Sequence, residues 1–363
     1  MASLRHHALA WTICAAALPI FQSRLRAEPD AAKYVGAKVC GSCHRAQFAR
    51  QSLSPHAGAL SRAVDHPLVS TFPTNLGLRR SPSYRFEFIS RPGELRTRIF
   101  DATDVMDLPM EWAFGAGRKA VTFVTKVNQD LYVEHYASYY PAVHAWGPTP
   151  GQSAIQPTSL ATAAGVLYRT TDPAAGIAGC FECHSTGPVT FGADGAVHLT
   201  ELAVRCEDCH GPGADHAKRP SSKNIQNPKT FSAARLNEFC GRCHRPPAAL
   251  GQKVDWNVAW NVRHQPLYLN ESACFRKSRG ALSCLTCHDP HEPAGKKEAS
   301  FYNDRCLGCH SSTAPRPDVI NHSQASVNCI DCHMPAISPQ GPLRFTNHWI
   351  GVYGPGAKLK PIR

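Results

Sequence analysis

The feature that most constrains this chain is a five-residue motif, Cys-x-x-Cys-His, that occurs seven times. Two cysteines three positions apart can form thioethers with the vinyl groups of one haem, while the next histidine binds the iron from the same side. A single Cys-x-x-Cys pair could also hold zinc. Seven copies, each followed directly by histidine, use 14 of the 16 cysteines and favour seven covalently attached c-type haems over zinc or disulfide sites.

The motifs are numbered 1 to 7 in chain order, and each predicts two attachment sites and one proximal iron ligand. The predicted attachment cysteines are Cys40, Cys43, Cys180, Cys183, Cys206, Cys209, Cys240, Cys243, Cys284, Cys287, Cys306, Cys309, Cys329 and Cys332. The predicted proximal ligands are His44, His184, His210, His244, His288, His310 and His333. Seven macrocycles would supply much of the apolar core. We therefore predict a mainly α protein with extensive loops, a multihaem cytochrome fold with the haems as its core, and a small β-rich insert.

The spacing of the motifs divides the chain into four segments. Residues 1–27 are predicted to be a signal peptide, because basic Arg5 precedes an apolar run at 8–21 and a small residue, Ala27, stands at the expected cleavage point. Residues 28–61 carry motif 1, residues 62–175 form a haem-free β-rich insert, and residues 176–363 form a six-haem domain. Alternating residues in the insert predict two β-hairpins, one pairing 84–90 with 95–100 and one pairing 121–127 with 131–136.

The charge of the chain does not indicate a nucleic-acid partner. The formal net charge of +12 is typical of proteins that bind polyanions. However, Arg5, Arg24 and Arg26 fall in the predicted signal peptide, and the propionates of the haems outweigh the positive ferric cores, so the net charge of the loaded protein is close to zero. No later stretch is apolar enough to span a membrane. We predict a periplasmic or secreted protein and leave its oligomeric state open.

Six-coordinate iron at each motif would need a second axial ligand, and histidine is abundant. Ten histidines lie outside the motifs and the predicted signal peptide, against three methionines, so bis-histidine ligation and low reduction potentials are predicted. His291 follows His288 by three residues, which span about 10 Å when extended. Two histidines on opposite faces of one iron would have Cα atoms roughly 13 Å apart. His291 is therefore predicted to bind a different iron from His288.

Several stretches resemble the multihaem c-type cytochromes related to the tetrahaem cytochrome of nitrification, the pentahaem nitrite reductases and the octahaem hydroxylamine oxidoreductases. They are residues 34–44 with 54–57, residues 206–213 with His216, residues 284–291 and residues 329–335. The resemblance implies further distal ligands, which are His56, His216, His291, His322 and His348, with His264 as an additional candidate. The lysine that replaces a proximal histidine in pentahaem nitrite reductases is not found in any motif of this chain, which argues against that activity.

These features favour an electron carrier over a catalytic oxidoreductase. Electrons would pass along a stack of bis-histidine haems between other redox proteins, which could be cytochromes or quinol-oxidising complexes. One alternative is an oxidoreductase that acts on a small nitrogen or sulfur oxyanion at one open haem, and the haem of His184 is the first place to look for it. Another is a subunit of an extracellular cytochrome filament. No catalytic residue is assigned. Cys274 has no intrachain partner and is predicted to be a buried thiol.

Overall fold

The computed structural model describes residues 30–74, 77–172, 176–293, 297–310 and 328–362. The predicted signal peptide and His322 lie outside the described residues. The α-helices are α1 Ala37–Cys43, α2 Arg45–Ser52, α3 Leu160–Ala164, α4 Ala178–His184, α5 Cys206–His210, α6 Ala214–Lys218, α7 Ala233–His244, α8 Gln265–Glu271, α9 Ala273–Lys277, α10 Cys284–Cys287, α11 Ala299–Leu307 and α12 Cys329–His333.

The strands lie mostly in the first half of the chain. They are β1 Leu60–Arg62, β2 Leu78–Ser81, β3 Tyr84–Arg91, β4 Glu94–Phe100, β5 Val105–Pro109, β6 Trp112–Phe114, β7 Thr122–Lys126, β8 Leu131–His135, β9 Ala137–Tyr140, β10 Ala145–Pro148, β11 Gly165–Arg169, β12 Thr186–Phe191, β13 Val197–Glu201, β14 Ala336–Ile337 and β15 Phe345–Thr346. Both predicted hairpins are confirmed, as the antiparallel pairs β3–β4 and β7–β8.

Two larger antiparallel sheets and the two-stranded sheet β9–β10 form the β-rich part and share an aromatic core. One sheet has the strand order β2-β3-β4-β5, and the other has the order β1-β6-β7-β8-β11. Alternate residues of these strands face inward, because side chains on a strand point to opposite faces. Phe88 stacks on Trp146 at 4.1 Å between ring centres, and Phe123 is fully buried beside them. This core contains no attachment cysteine.

The mainly α prediction needs correction, because strands also occur in the haem-rich half. The hairpin β12–β13 lies between motifs 2 and 3, and β14–β15 follows motif 7. The helices that carry the motifs are one to three turns long, since an attachment motif needs only enough helix to bring two cysteines and a histidine to one side. Of the described helices, none combines the length and the apolar character needed to cross a bilayer. The predicted domain boundaries stay predictions.

The five-stranded sheet positions one motif directly. Phe181 lies between the two cysteines of motif 2 and is fully buried. Its ring contacts Trp112 at 5.5 Å and Phe114 at 5.1 Å, both on β6. Helix α4 therefore packs against the β-rich part, and this motif has a protein core beneath it in addition to any haem.

Candidate haem sites

Among the described residues, four motif histidines face a second histidine from a distant part of the chain. An imidazole nitrogen about 2 Å from iron on each face would place the two ring centres roughly 6 Å apart. The observed pairs and separations between ring centres are His44–His216 at 6.2 Å, His56–His244 at 6.2 Å, His210–His291 at 6.1 Å and His288–His348 at 6.3 Å. These distances match the spacing needed for one iron between each pair.

The orientation of these rings also suits iron binding. A backbone carbonyl can only accept a hydrogen bond, so a histidine whose Nδ1 contacts one must donate from Nδ1 and leave Nε2 as the basic nitrogen. Such contacts occur in His184 with Ala59 at 2.9 Å, His210 with Gln226 at 2.8 Å, His216 with Ser221 at 3.1 Å, His333 with Gly351 at 2.9 Å and His348 with Thr346 at 3.0 Å. Metal-binding histidines are commonly held in this way.

Burial favours the neutral imidazole, which is the form that binds metals. Desolvation lowers the pKa of His56, His184, His210 and His288 below its usual value. It lowers the pKa of His244 and His348 to about 4. These imidazoles can therefore bind a metal at neutral pH without first losing a proton.

Contacts between motifs show which of them are neighbours. The thiols of Cys40 and Cys206 lie close enough to interact, as do those of Cys183 and Cys243, of Cys240 and Cys284, and of Cys306 and Cys329. Helices α10 and α11 contact each other and join motif 5 to motif 6. Arg242 of motif 4 donates a 3.1 Å hydrogen bond to the Asp208 carbonyl of motif 3. These contacts link the motifs in the order 1, 3, 4, 5, 6 and 7, which is called the order of contacts below. Motif 2 lies beside motif 4.

Motif 2 differs from the four paired motifs. Within the part of the chain that the structure describes, no second imidazole lies at the paired distance from His184, whose ring instead meets Phe114 at 5.1 Å with an interplanar angle of 70°. Glu134 and Tyr168 lie close enough to Cys180 to interact with it electrostatically. Burial raises the pKa of Glu134, which accepts a 2.9 Å hydrogen bond from Gln152. A polar group of side chains thus stands near this attachment site.

His264 is not placed like the paired histidines. Its Nδ1 faces the guanidinium of Arg245 at 3.4 Å rather than a carbonyl. Burial, with Arg263 and Arg245 nearby, lowers the pKa of His264 to about 4. Among the described residues, its ring pairs with no motif histidine, and its role as a distal ligand stays a prediction.

The remaining predicted residues can be placed only in part. Helix α11 carries Cys306, but no described imidazole faces His310, and residues 311–327 that follow lie outside the description. Cys274 is half-buried rather than fully buried, and burial raises the pKa of its thiol.

Two histidines outside the predicted set have structural roles. His66 uses both ring nitrogens, since Nδ1 accepts from the Leu68 amide and Nε2 lies 3.1 Å from the Gly115 carbonyl. His135 is fully buried on β8 and contacts the Thr125 hydroxyl at 2.8 Å.

The residues present therefore fit c-type haem. The motif cysteines among the described residues form no disulfides, so their thiols are free to be alkylated by vinyl groups. All four pairs have the separation that iron needs, and the carbonyl contacts of His210, His216 and His348 favour the tautomer that leaves Nε2 free for iron. When bound, haem would supply reversible one-electron chemistry, and these side chains would hold and tune it.

Two important carboxylates were missed by the sequence analysis. Glu207 lies inside motif 3, is 2% exposed and accepts hydrogen bonds from the amides of Val35, Gly36 and Gly213. Asp289 accepts a 3.0 Å hydrogen bond from Nδ1 of His291. An acidic residue within a motif is the only sequence signal for Glu207, and it does not say which backbone amides the carboxylate will meet.

Comparison with known proteins supports a haem-binding assignment. The family model described as "Cytochrome c554 and c-prime" matches residues 142–211, which contain motifs 2 and 3. The chain is 27% identical over 173 residues to multiheme cytochrome MtrA of Shewanella baltica, covering 43% of this chain and 45% of that protein. It is 29% identical over 174 residues to the C-type polyheme cytochrome OmcC of Geobacter sulfurreducens, covering 43% of this chain and 21% of that one.

A solved structure resembles the fold over most of the chain. The outer cell wall cytochrome OcwA matches with a TM-score of 0.50 and 17% identity, covering 88% of this chain and 79% of that one. The matches to the curated relatives span less than half of their length. None of these comparisons singles out the nitrification cytochrome, the nitrite reductases or the hydroxylamine oxidoreductases. Over part of its length this chain is therefore similar to multihaem c-type cytochromes, and its repeated Cys-x-x-Cys-His motif is the one that attaches c-type haem.

Proposed function

We propose that this protein carries electrons along seven covalently attached haems between other redox proteins outside the cytoplasm. The observation that carries the proposal is the combination of four histidine pairs at 6.1 to 6.3 Å with an unbroken series of contacts between motifs. Irons bound on both faces by histidine exchange electrons without binding substrate. Neighbouring motifs in contact keep successive haems close, as electron hopping requires.

The proposed ligand set follows from these pairs. His216 would bind the iron of motif 1, His291 that of motif 3, His56 that of motif 4 and His348 that of motif 5. The predicted signal peptide and the outer cell wall location in the name of OcwA support an exported protein. The partners we propose are cytochromes or quinol-oxidising complexes, with no nucleic acid.

Electron paramagnetic resonance of the oxidised protein, quantified against total iron and haem per chain, tests this proposal. We expect seven haems per chain and predominantly low-spin iron. The pairs of motifs 1 and 3, with interplanar angles of 18° and 17°, should give rhombic signals. The pair of motif 4, at 73°, should give a strongly anisotropic signal, because nearly perpendicular imidazoles leave two iron d orbitals close in energy. Mostly high-spin iron would contradict the proposal.

A second function, reduction of a small nitrogen or sulfur oxyanion at motif 2, is favoured by one specific observation. His184 meets Phe114 and, in the described residues, no second imidazole. Glu134 interacts electrostatically with both Cys180 and Arg263, so a carboxylate and a guanidinium stand near this attachment site. Such groups can stabilise charge and supply protons when an oxyanion is reduced.

Carbon monoxide tests whether this iron is open, because it binds ferrous haem only where an axial position is free. We expect about one carbon monoxide bound per reduced chain. The variant Glu134→Gln removes a nearby negative charge, so it should shift the stretching frequency of the bound gas in the infrared spectrum. No binding would exclude an open haem, and binding with an unchanged frequency in the variant would place the open iron elsewhere.

A further inference from the structure

The distal ligand of motif 3 has a partner of a different chemical kind from the other ligands. Oδ1 of Asp289 lies 3.0 Å from Nδ1 of His291 and also accepts the His291 amide at 2.9 Å. Among the candidate iron ligands in the described residues, His291 is the one whose Nδ1 contacts a carboxylate. The other Nδ1 hydrogen bonds of the paired histidines go to neutral oxygens, such as the Gln226 and Thr346 carbonyls.

An ion-pair network holds this carboxylate in place. Oδ2 of Asp289 contacts Arg50 at 3.0 Å, which leaves Oδ1 for the imidazole. Arg50 also pairs with Glu292 at 2.8 Å, and Glu292 in turn pairs with Lys297. Arg50 lies on α2, directly after motif 1, so the network connects the segment of motif 1 to the ligand of motif 3.

A carboxylate at Nδ1 changes the ligand electronically as well as sterically. It draws the Nδ1 proton toward itself, so the imidazole becomes a stronger electron donor to the metal at Nε2. A stronger donor stabilises the more positively charged ferric iron and lowers the reduction potential. The side chain of Asp289 is 39% exposed and paired with Arg50, so solvent and the guanidinium reduce this effect without cancelling it.

We propose that Asp289 is a positioning residue that orients His291 and lowers the reduction potential of the haem at Cys206 and Cys209. This inference rests on the proposed function, because it takes His291 as a ligand of that iron. The haem of motif 3 would then hold an electron less firmly than it would without this carboxylate.

The test compares Asp289→Asn with Glu292→Gln in the haem-loaded protein by spectroelectrochemical titration. The asparagine keeps an oxygen for the imidazole but removes the charge, so we expect the reduction equilibrium constant of one haem to rise about tenfold, or 59 mV for one electron. The control Glu292→Gln removes a charge from the same arginine but leaves His291 untouched, so the titration should match the unmodified protein. Equal titrations for both variants would overturn the inference.

A third variant separates this inference from the proposed function. Replacing His291 with alanine should convert one low-spin haem to high spin in the electron paramagnetic resonance spectrum. If His291→Ala leaves the spectrum unchanged, the ligand assignment fails and the proposal about Asp289 fails with it. If His291→Ala gives the high-spin signal while Asp289→Asn leaves every potential unmoved, only the tuning role is wrong.

Discussion

Replacing Glu207 with alanine is expected to destabilise the folded protein by about 3–5 kcal/mol. The carboxylate is almost fully buried and accepts hydrogen bonds of 2.7 to 3.2 Å from three backbone amides. Alanine would leave these amides without a partner, and each unsatisfied buried donor costs roughly 1–3 kcal/mol. Guanidinium unfolding, followed at the Soret band and by far-ultraviolet circular dichroism, would measure the loss.

The loss should begin at the segment that carries motif 1. Two of the three amides, of Val35 and Gly36, lie just before α1, so Glu207 ties that segment to motif 3. We expect proteolysis to cut the variant first near residues 30–60. The control is Glu238→Ala, which removes an exposed glutamate on α7 and should change stability by no more than about 0.5 kcal/mol. Equal unfolding midpoints for the two variants would contradict the role given to Glu207.

The haem-attachment motifs can be predicted from the sequence because covalent attachment requires contiguous residues. Two thioethers and one axial bond need Cys-x-x-Cys-His in a single turn, so each motif can be read directly. The hairpins β3–β4 and β7–β8 were predictable for a similar reason, since both strands and the turn are local. Both kinds of feature depend on residues that lie close together in the sequence.

The pairing of ligands was not accessible, because it depends on contacts between distant segments. His56 meets His244, and His216 meets His44, and no periodicity connects the members of either pair. His264 illustrates the limit, since its neighbour Arg245 faces the nitrogen that would otherwise be held by a carbonyl. Of the strands missed in the haem-rich half, β14 and β15 are two residues each, too short to show alternation.

Replacing His56 with methionine is expected to raise the reduction potential of the haem of motif 4 by on the order of 0.1 V, since axial ligands set haem potentials over roughly 0.8 V. Methionine stabilises ferrous iron relative to histidine. Motif 4 contacts motif 2 through Cys183, motif 3 through Arg242 and motif 5 through Cys284. A haem at this junction with a raised potential would trap electrons that must pass through it.

The expected slowing of electron transfer follows from the size of the potential shift. At 59 mV for each factor of ten, a rise of about 0.1 V would slow escape from this haem roughly 50-fold. Potentiometric titration would show the shift, and flash photoreduction from a sensitiser attached beside motif 1 would show the slowed passage to the later motifs.

The matched variant His216→Met changes the ligand of motif 1 at one end of the contact order. It should raise the reduction potential of the motif 1 haem by a similar amount and slow electron transfer out of motif 1. Exchange among motifs 3, 4 and 5 should keep its original rate. Every route from motif 1 to motif 7 in the order of contacts passes through motif 4, so unaltered passage in His56→Met would contradict the proposed order of electron flow.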